Sequence, residues 1–123
     1  MDMKLYNSEL KIMNILWDKG DTTAKELVKI LKQETDWSKS TTYTIISRCI
    51  TKGLIANIDS SFTCHALIEK DDVRKYETKE LIQTMYDGSA DKLIASMIDG
   101  KYLHDDEVAK LKKYIDGIKT DNK

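Results

Sequence analysis

Proline is absent from this sequence, so no helix in it has to bend or end at a ring that lacks an amide hydrogen. Cysteine occurs twice, as Cys49 and Cys64 in unlike surroundings, too rarely for a disulfide framework. No apolar run exceeds a few residues, which excludes a membrane-spanning helix and therefore membrane insertion. The opening MDMKLYNSEL has no apolar signal core, so a cytoplasmic location with reduced thiols is expected. Nor does one sign of charge dominate. Twenty Lys and Arg stand against 21 Asp and Glu, a net charge of −1, which excludes a generically basic polyanion binder. Residues 1–68 carry 9 basic against 8 acidic side chains and residues 69–123 carry 11 against 13, a difference too small to divide the chain by charge.

What is present belongs to a folded protein: 41% hydrophobic and 33% charged residues, in a length that holds one ordinary domain or a small domain with a dependent extension. The five glycines act as punctuation. Gly20, Gly53, Gly88 and Gly100 each follow an apolar-periodic segment, where a residue suited to the left-handed conformation is wanted just past a helix end. A first helix is expected to start at Asn7 or Ser8, either able to cap it, with Leu10, Ile12, Met13, Leu16 and Trp17 as its core stripe and Gly20 as its stop. Thr23-Ala24-Lys25-Glu26 reads as the capping box of a second helix, whose apolar side is Ala24, Leu27, Val28 and Leu31. It fades through Gln33-Glu34-Thr35-Asp36, a polar turn of the length that a helix-turn-helix uses.

Residues 37–58, WSKSTTYTIISRCITKGLIANI, then combine a capped helix, a glycine stop and the start of a strand. They contain three basic side chains, Lys39, Arg48 and Lys52, and no acidic one, in a chain otherwise dense with carboxylates. Ser38 can cap the helix, and Thr42, Ile45, Ile46, Cys49 and Ile50 form its buried stripe. The opposite side carries Ser40, Tyr43, Thr44, Ser47 and Thr51, with Arg48 at the margin, whereas other exposed helix faces here are crowded with Lys and Glu. Short polar side chains permit close approach to a DNA groove, and flanking cations meet phosphates. The expected DNA contacts are therefore Lys39, Ser40, Thr41, Tyr43, Thr44, Ser47, Arg48 and Lys52. An ordinary core helix with a solvated polar face remains the plain alternative for this segment taken alone. Trp17 is expected in the core, and Trp37 as an anchor of the turn before the helix.

Residues 54–58 alternate, 59–61 form a turn and 62–67 alternate again, the pattern of a two-stranded hairpin. Three helices and a hairpin define the expected fold class: mainly α, a winged helix-turn-helix over residues 1–68, followed by a helical dimerisation region over 69–123. In that second region helices are expected over about 71–87, about 89–99 and from 104 or 105 onward, with acids at the last start suiting a helix N-terminus. Some 50 residues with so many apolar side chains do not easily build their own core, so a second copy is the expected cover. The dimerisation residues are Leu81, Met85, Leu93, Ile94, Met97, Ile98, Val108, Leu111 and Ile115.

Catalytic signals are missing. No Ser/His/Asp set, glycine-rich phosphate loop or paired-carboxylate arrangement stands out, and nothing implies an enzyme or a cofactor. Cys64, His65 and His104 match no usual metal-ligand spacing, and strand alternation puts Cys64 and His65 on opposite faces.

The segments SELKIMNILWDKG, TTAKELVKIL, DWSKSTTYTIISRCITKGLI and KYETKELIQTMYDG together resemble the penicillinase and methicillin-resistance repressors (the BlaI/MecI type), whose relatives include copper-responsive operon repressors. The tryptophan-serine entry to the helix and the T-x-x-T-x-I-x-R…KGLI pattern are the most specific pieces, and the likeness extends over most of the chain. It implies a homodimeric repressor that places its third helix in the major groove of a palindromic double-stranded operator. In the antibiotic branch a membrane sensor protease system signals, and the repressor is cut in its dimerisation helices between Asn and Phe. The corresponding pair here is Ser96-Met97, within LIASMID. The paired cysteines of the copper branch are missing, since no cysteine follows Cys64. Tyr43 stands where relatives carry a basic residue. Two other readings stay open: a winged-helix protein-interaction module that does not read DNA, and a repressor of the same fold relieved by a small ligand or by a redox or metal signal at Cys64.

Overall fold

In a computed structural model, residues 3–121 are described. The chain forms two compact units, Met1–Lys79 and Glu80–Lys123. The first contains α1 (Asn7–Lys19), β1 (Thr22–Thr23), α2 (Ala24–Thr35), α3 (Lys39–Thr51), β2 (Ile55–Asn57) and β3 (Thr63–Ala66). α4 (Lys70–Met85) belongs in part to each unit, and α5 (Ala90–Asp99) and α6 (Asp105–Asp121) lie in the second. No described helix is long and apolar enough to cross a membrane.

Helical periodicity explains the core of the first unit. Ile12, Met13 and Leu16 of α1, Ala24, Leu27 and Leu31 of α2, and Ile45, Ile46 and Cys49 of α3 recur three or four residues apart and are buried together. Leu54 just ahead of β2, Ile55 and Cys64 from the sheet, and Ile68 and Val73 beyond it complete the same cluster. Trp17 lies at its margin rather than inside it, half-buried, and its indole Nε1 donates to the Ile68 carbonyl at 2.9 Å.

Several local expectations are corrected. The α1 N-cap is Tyr6, not Asn7 or Ser8; it offers no side-chain cap, and its amide donates instead to Glu9 Oε1 at 2.9 Å. α2 does not fade at Gln33 but continues through Thr35, and Asp36 closes it in the left-handed conformation at φ 62°, which a short polar residue tolerates better than most. Gly20, Gly53 and Gly88 have positive φ, but at the end of α5 Gly100 sits at φ −78° and Lys101 takes the left-handed position. A Cβ at Gly100 would lie 2.4 Å from the ring of Tyr102, an exposed side chain that would have to move aside. Ile50, expected in the buried stripe of α3, is 36% exposed.

The expected hairpin forms from β2 and β3, and β1 joins it to make a three-stranded antiparallel sheet in the order β1-β3-β2. β3 is central, pairing Thr22 with Cys64 on one side and Ile55 with Ala66 on the other. Cys64 is buried and His65 exposed, as alternation demands.

Among the described residues of this unit, burial extends to one carboxylate. Glu9 is fully buried, and its Oε1 accepts from Lys52 Nζ at 2.8 Å, an ion pair that joins the first turn of α1 to the end of α3. Lys52 Nζ also donates to the Lys4 carbonyl at 2.8 Å.

The second unit differs. Among residues 80–118 none is fully buried. Its helices are nonetheless linked: the Tyr86 hydroxyl donates to Ser96 Oγ at 3.1 Å.

The Glu9–Lys52 pair yields a stability prediction. Lys52→Met leaves a buried carboxylate without its cation, a loss of about 3 kcal/mol expected in urea or thermal unfolding. Glu9→Gln should cost clearly less, since the amide still accepts from Tyr6 and the lysine retains a path to water. Equal losses would mean that charge burial is not what the pair controls.

Candidate nucleic-acid interface

α3 is built to be held by one side. The turn before it is tied by Thr35, whose Oγ1 donates to the Leu31 carbonyl at 2.6 Å and accepts from the Trp37 amide at 3.2 Å. Trp37 is half-buried against the core, as a turn anchor would be. Ser38 is the N-cap, its hydroxyl oxygen accepting from the Thr41 amide at 3.2 Å. α3 packs against both α1 and α2 through Thr42, Ile45, Ile46 and Cys49, so the remaining side is forced outward.

On that side Lys39, Ser40, Thr41, Thr44, Ser47 and Arg48 are all exposed. The first turn has no acidic residue and Arg48 lies in the last. The amide dipoles at the helix start and Lys39 therefore act in the same sense, favouring an anion there. The Thr44 hydroxyl donates to the Ser40 carbonyl at 2.8 Å, which spends its proton within the helix.

Two expected contacts have additional engagements. Tyr43 is half-buried; its ring meets the Phe62 ring edge-on, at 5.8 Å between centroids and 72° between planes, with Lys39 Nζ 5.9 Å from its centroid. Lys52 spends its ammonium on Glu9 and the Lys4 carbonyl, a structural use of a charge that the sequence suggests for phosphate. Glu9 and Phe62 themselves carry no local sequence signal of these roles. At the wing, Asp59 Oδ1 accepts from the amides of Ser61 at 2.9 Å and Thr63 at 3.2 Å, and His65 Nδ1 lies 2.7 Å from Asp21 Oδ1.

The dimerisation candidates are uncovered within their own chain. Leu81, Met85, Ile94, Ile98, Val108 and Ile115 are exposed, Met85 at 70%, while Leu93, Met97 and Leu111 are half-buried. The Ser96-Met97 peptide lies inside α5, where the Ser96 carbonyl accepts from the Gly100 amide at 2.9 Å. No group of three or more His, Cys, Asp or Glu with metal-holding geometry occurs among the described residues.

A capped three-helix unit, a short wing and an outward helix face free of acids define a winged helix-turn-helix protein. Residues 5–117 match the sequence model of the penicillinase repressor family. The chain belongs to that family. It is 28% identical over 120 residues to the methicillin resistance regulatory protein MecI of Staphylococcus aureus (strain N315), covering 94% of this chain and 98% of that protein. It is 25% identical over 113 residues to the penicillinase repressor of Staphylococcus aureus, covering 90% of each. An uncharacterized 16.5 kDa protein of Latilactobacillus sakei is 23% identical over 114 residues, 91% of this chain and 78% of that one.

Both thiols are free, and both lie in the core behind the helix face. Burial pushes Cys49 up from an ordinary value of 9.0 to about 12, the Glu9 carboxylate adding to the effect. Burial alone takes Cys64 to about 11. Such thiols hold their protons at neutral pH and react slowly with oxidants. In the unfolded chain the protons leave near pH 9, so above that pH the folded state binds more protons than the unfolded one. Stability present below pH 9 should therefore fall as pH rises toward 11, and Cys64→Ala should flatten that decline in pH-dependent urea unfolding. An unaltered slope would show that Cys64 does not link folding to pH.

Proposed function

We propose that the protein is a cytoplasmic, homodimeric transcriptional repressor that binds a palindromic operator of a β-lactam resistance operon. Each subunit lays α3 in a major groove. The observation that carries this reading is the outward face of α3: six exposed residues that are short and polar or basic, in a 22-residue stretch with no carboxylate. Lys39 and Arg48 lie toward the two ends of the helix, as phosphate contacts flanking a base-reading centre of Ser40, Tyr43, Thr44 and Ser47 would. Thr41 lies beside the phosphate-facing helix start. Lys52 supports the end of the helix through Glu9.

Residues 1–68 form the DNA-binding domain and 69–123 the dimerisation region in this reading. The uncovered apolar residues of α4, α5 and α6 support dimerisation, because water-exposed Met85, Ile94, Ile98 and Ile115 gain stability by packing against a second copy. A twofold dimer matches a twofold DNA site, and the spacing of half-sites follows from the separation of the two α3 helices. The names of the Staphylococcus aureus relatives support the assignment to a resistance operon. Release follows from proteolysis at Ser96-Met97, driven by a membrane sensor protease system. Because that peptide is helical, α5 must open locally before a protease can seat it.

Electrophoretic mobility shift on the duplex upstream of the protein's own gene tests the reading. Affinity should fall steeply with salt as counterions are released. Arg48→Ala should weaken operator and scrambled duplexes alike, and reduce the slope of log affinity against log salt by about 1. Binding that ignores salt, or an Arg48→Ala protein indistinguishable from wild type, would defeat the assignment of this face. The release step has a separate check. Intact-mass measurement after β-lactam exposure of the native host should find fragments ending at Ser96, and derepression with the full-length mass unchanged would overturn the proteolytic route.

A further inference from the structure

Phe62 is the chain's single phenylalanine, and three parts of the first unit converge on it. Its backbone sits at φ 58°, a left-handed conformation that a bulky residue rarely adopts. The conformation is held from both sides. The Phe62 amide donates to the Asp59 carbonyl at 3.2 Å, and the Phe62 carbonyl accepts from the amide of Ala24, the first residue of α2, at 2.9 Å. The Asp59 side chain fixes the turn ahead of it through the Ser61 and Thr63 amides. The ring rests against the core and stands edge-on to Tyr43 of α3. A turn needing a left-handed residue would by backbone preference take glycine or asparagine. A phenylalanine there is explained by what its ring touches: the core on one side and, edge-on, a half-exposed tyrosine on the face of α3 assigned to base reading.

We propose that Phe62 is a specificity-determining positioning residue. From the wing it holds the Tyr43 ring in the orientation from which α3 reads the operator, so that wing conformation and base reading are coupled. Lys39, 5.9 Å from the centroid of the Tyr43 ring, makes a second contact with it. With two of its approaches occupied, the ring has less rotational freedom than an unsupported tyrosine on a helix surface, and less ordering is left for binding to impose. The proposal rests on the reading of α3 as the DNA-reading helix. It adds to that reading a residue outside the helix that acts only through Tyr43.

The experiment is a double-mutant cycle on the full-length protein, with fluorescence anisotropy on the duplex upstream of its own gene and on a scrambled duplex of equal length, at one fixed salt concentration. The quantity read is the ratio of the two affinities. Phe62→Ala should lower that ratio about tenfold, the scale of one well-made aromatic contact, while affinity for the scrambled duplex stays near wild type. In a Tyr43→Ala background the same change should lower the ratio no further. Phe62→Tyr, which retains the ring, should keep the wild-type ratio. Phe62→Gly removes the ring yet suits the positive φ, so it carries the cycle if Phe62→Ala melts below the assay temperature. Additive losses from Phe62→Ala and Tyr43→Ala, or equal weakening toward both duplexes, would overturn the proposal while leaving α3 as the reading helix. A wild-type protein that does not distinguish the two duplexes would instead remove the DNA reading itself, and this assignment with it.

Discussion

The burial of one side of α3 is the constraint from which the rest of the first unit follows. Thr42, Ile45, Ile46 and Cys49 pack against α1 and α2 in a core that also takes in Leu54 and, from the sheet, Ile55 and Cys64. Close packing leaves a helix so engaged little freedom to rotate about its axis, because even a small turn would expose several apolar side chains together. The outward residues are thus fixed by residues buried behind them. The cap at Ser38 and the Glu9–Lys52 pair act at the two ends of the same helix and limit fraying where propensity alone is weak.

The two units solve opposite problems. The first closes a core within one chain, at the cost of burying a carboxylate whose Oε2 has no hydrogen-bond partner among the described residues. The second has helices with clear apolar faces and no buried residue among 80–118. The fold thus joins a winged-helix unit with its own core to helices whose apolar residues stay uncovered within the chain. Under the function proposed above, the first part would set which bases are met. The second would set how far apart two readers stand.

Much of this was legible in the residues because it is local. The 3–4 spacing of apolar side chains marked the first three helices, Thr23 and Ser38 marked two helix starts, and alternation placed Cys64 inward and His65 outward. What escaped depends on partners distant along the chain. β1 is two threonines whose strand character exists only because β3, some forty residues later, supplies the ladder. Ile50 followed the helical period but lies where the packed surface ends. Lys52 looked like an available cation because its anion, Glu9, lies 43 residues away. The Tyr43–Phe62 contact joins a helix face to a turn, and no periodicity links those two.

The shortness of the strands has its own consequence. β1 and β2 are the outer members of the sheet, with two and three residues respectively. An outer strand normally presents a row of unpaired amides and carbonyls on which another chain can extend the sheet. Rows this brief give an incoming strand too few bonds to offset the entropy of ordering it. The sheet can therefore carry a wing at the protein surface without inviting cross-β self-assembly.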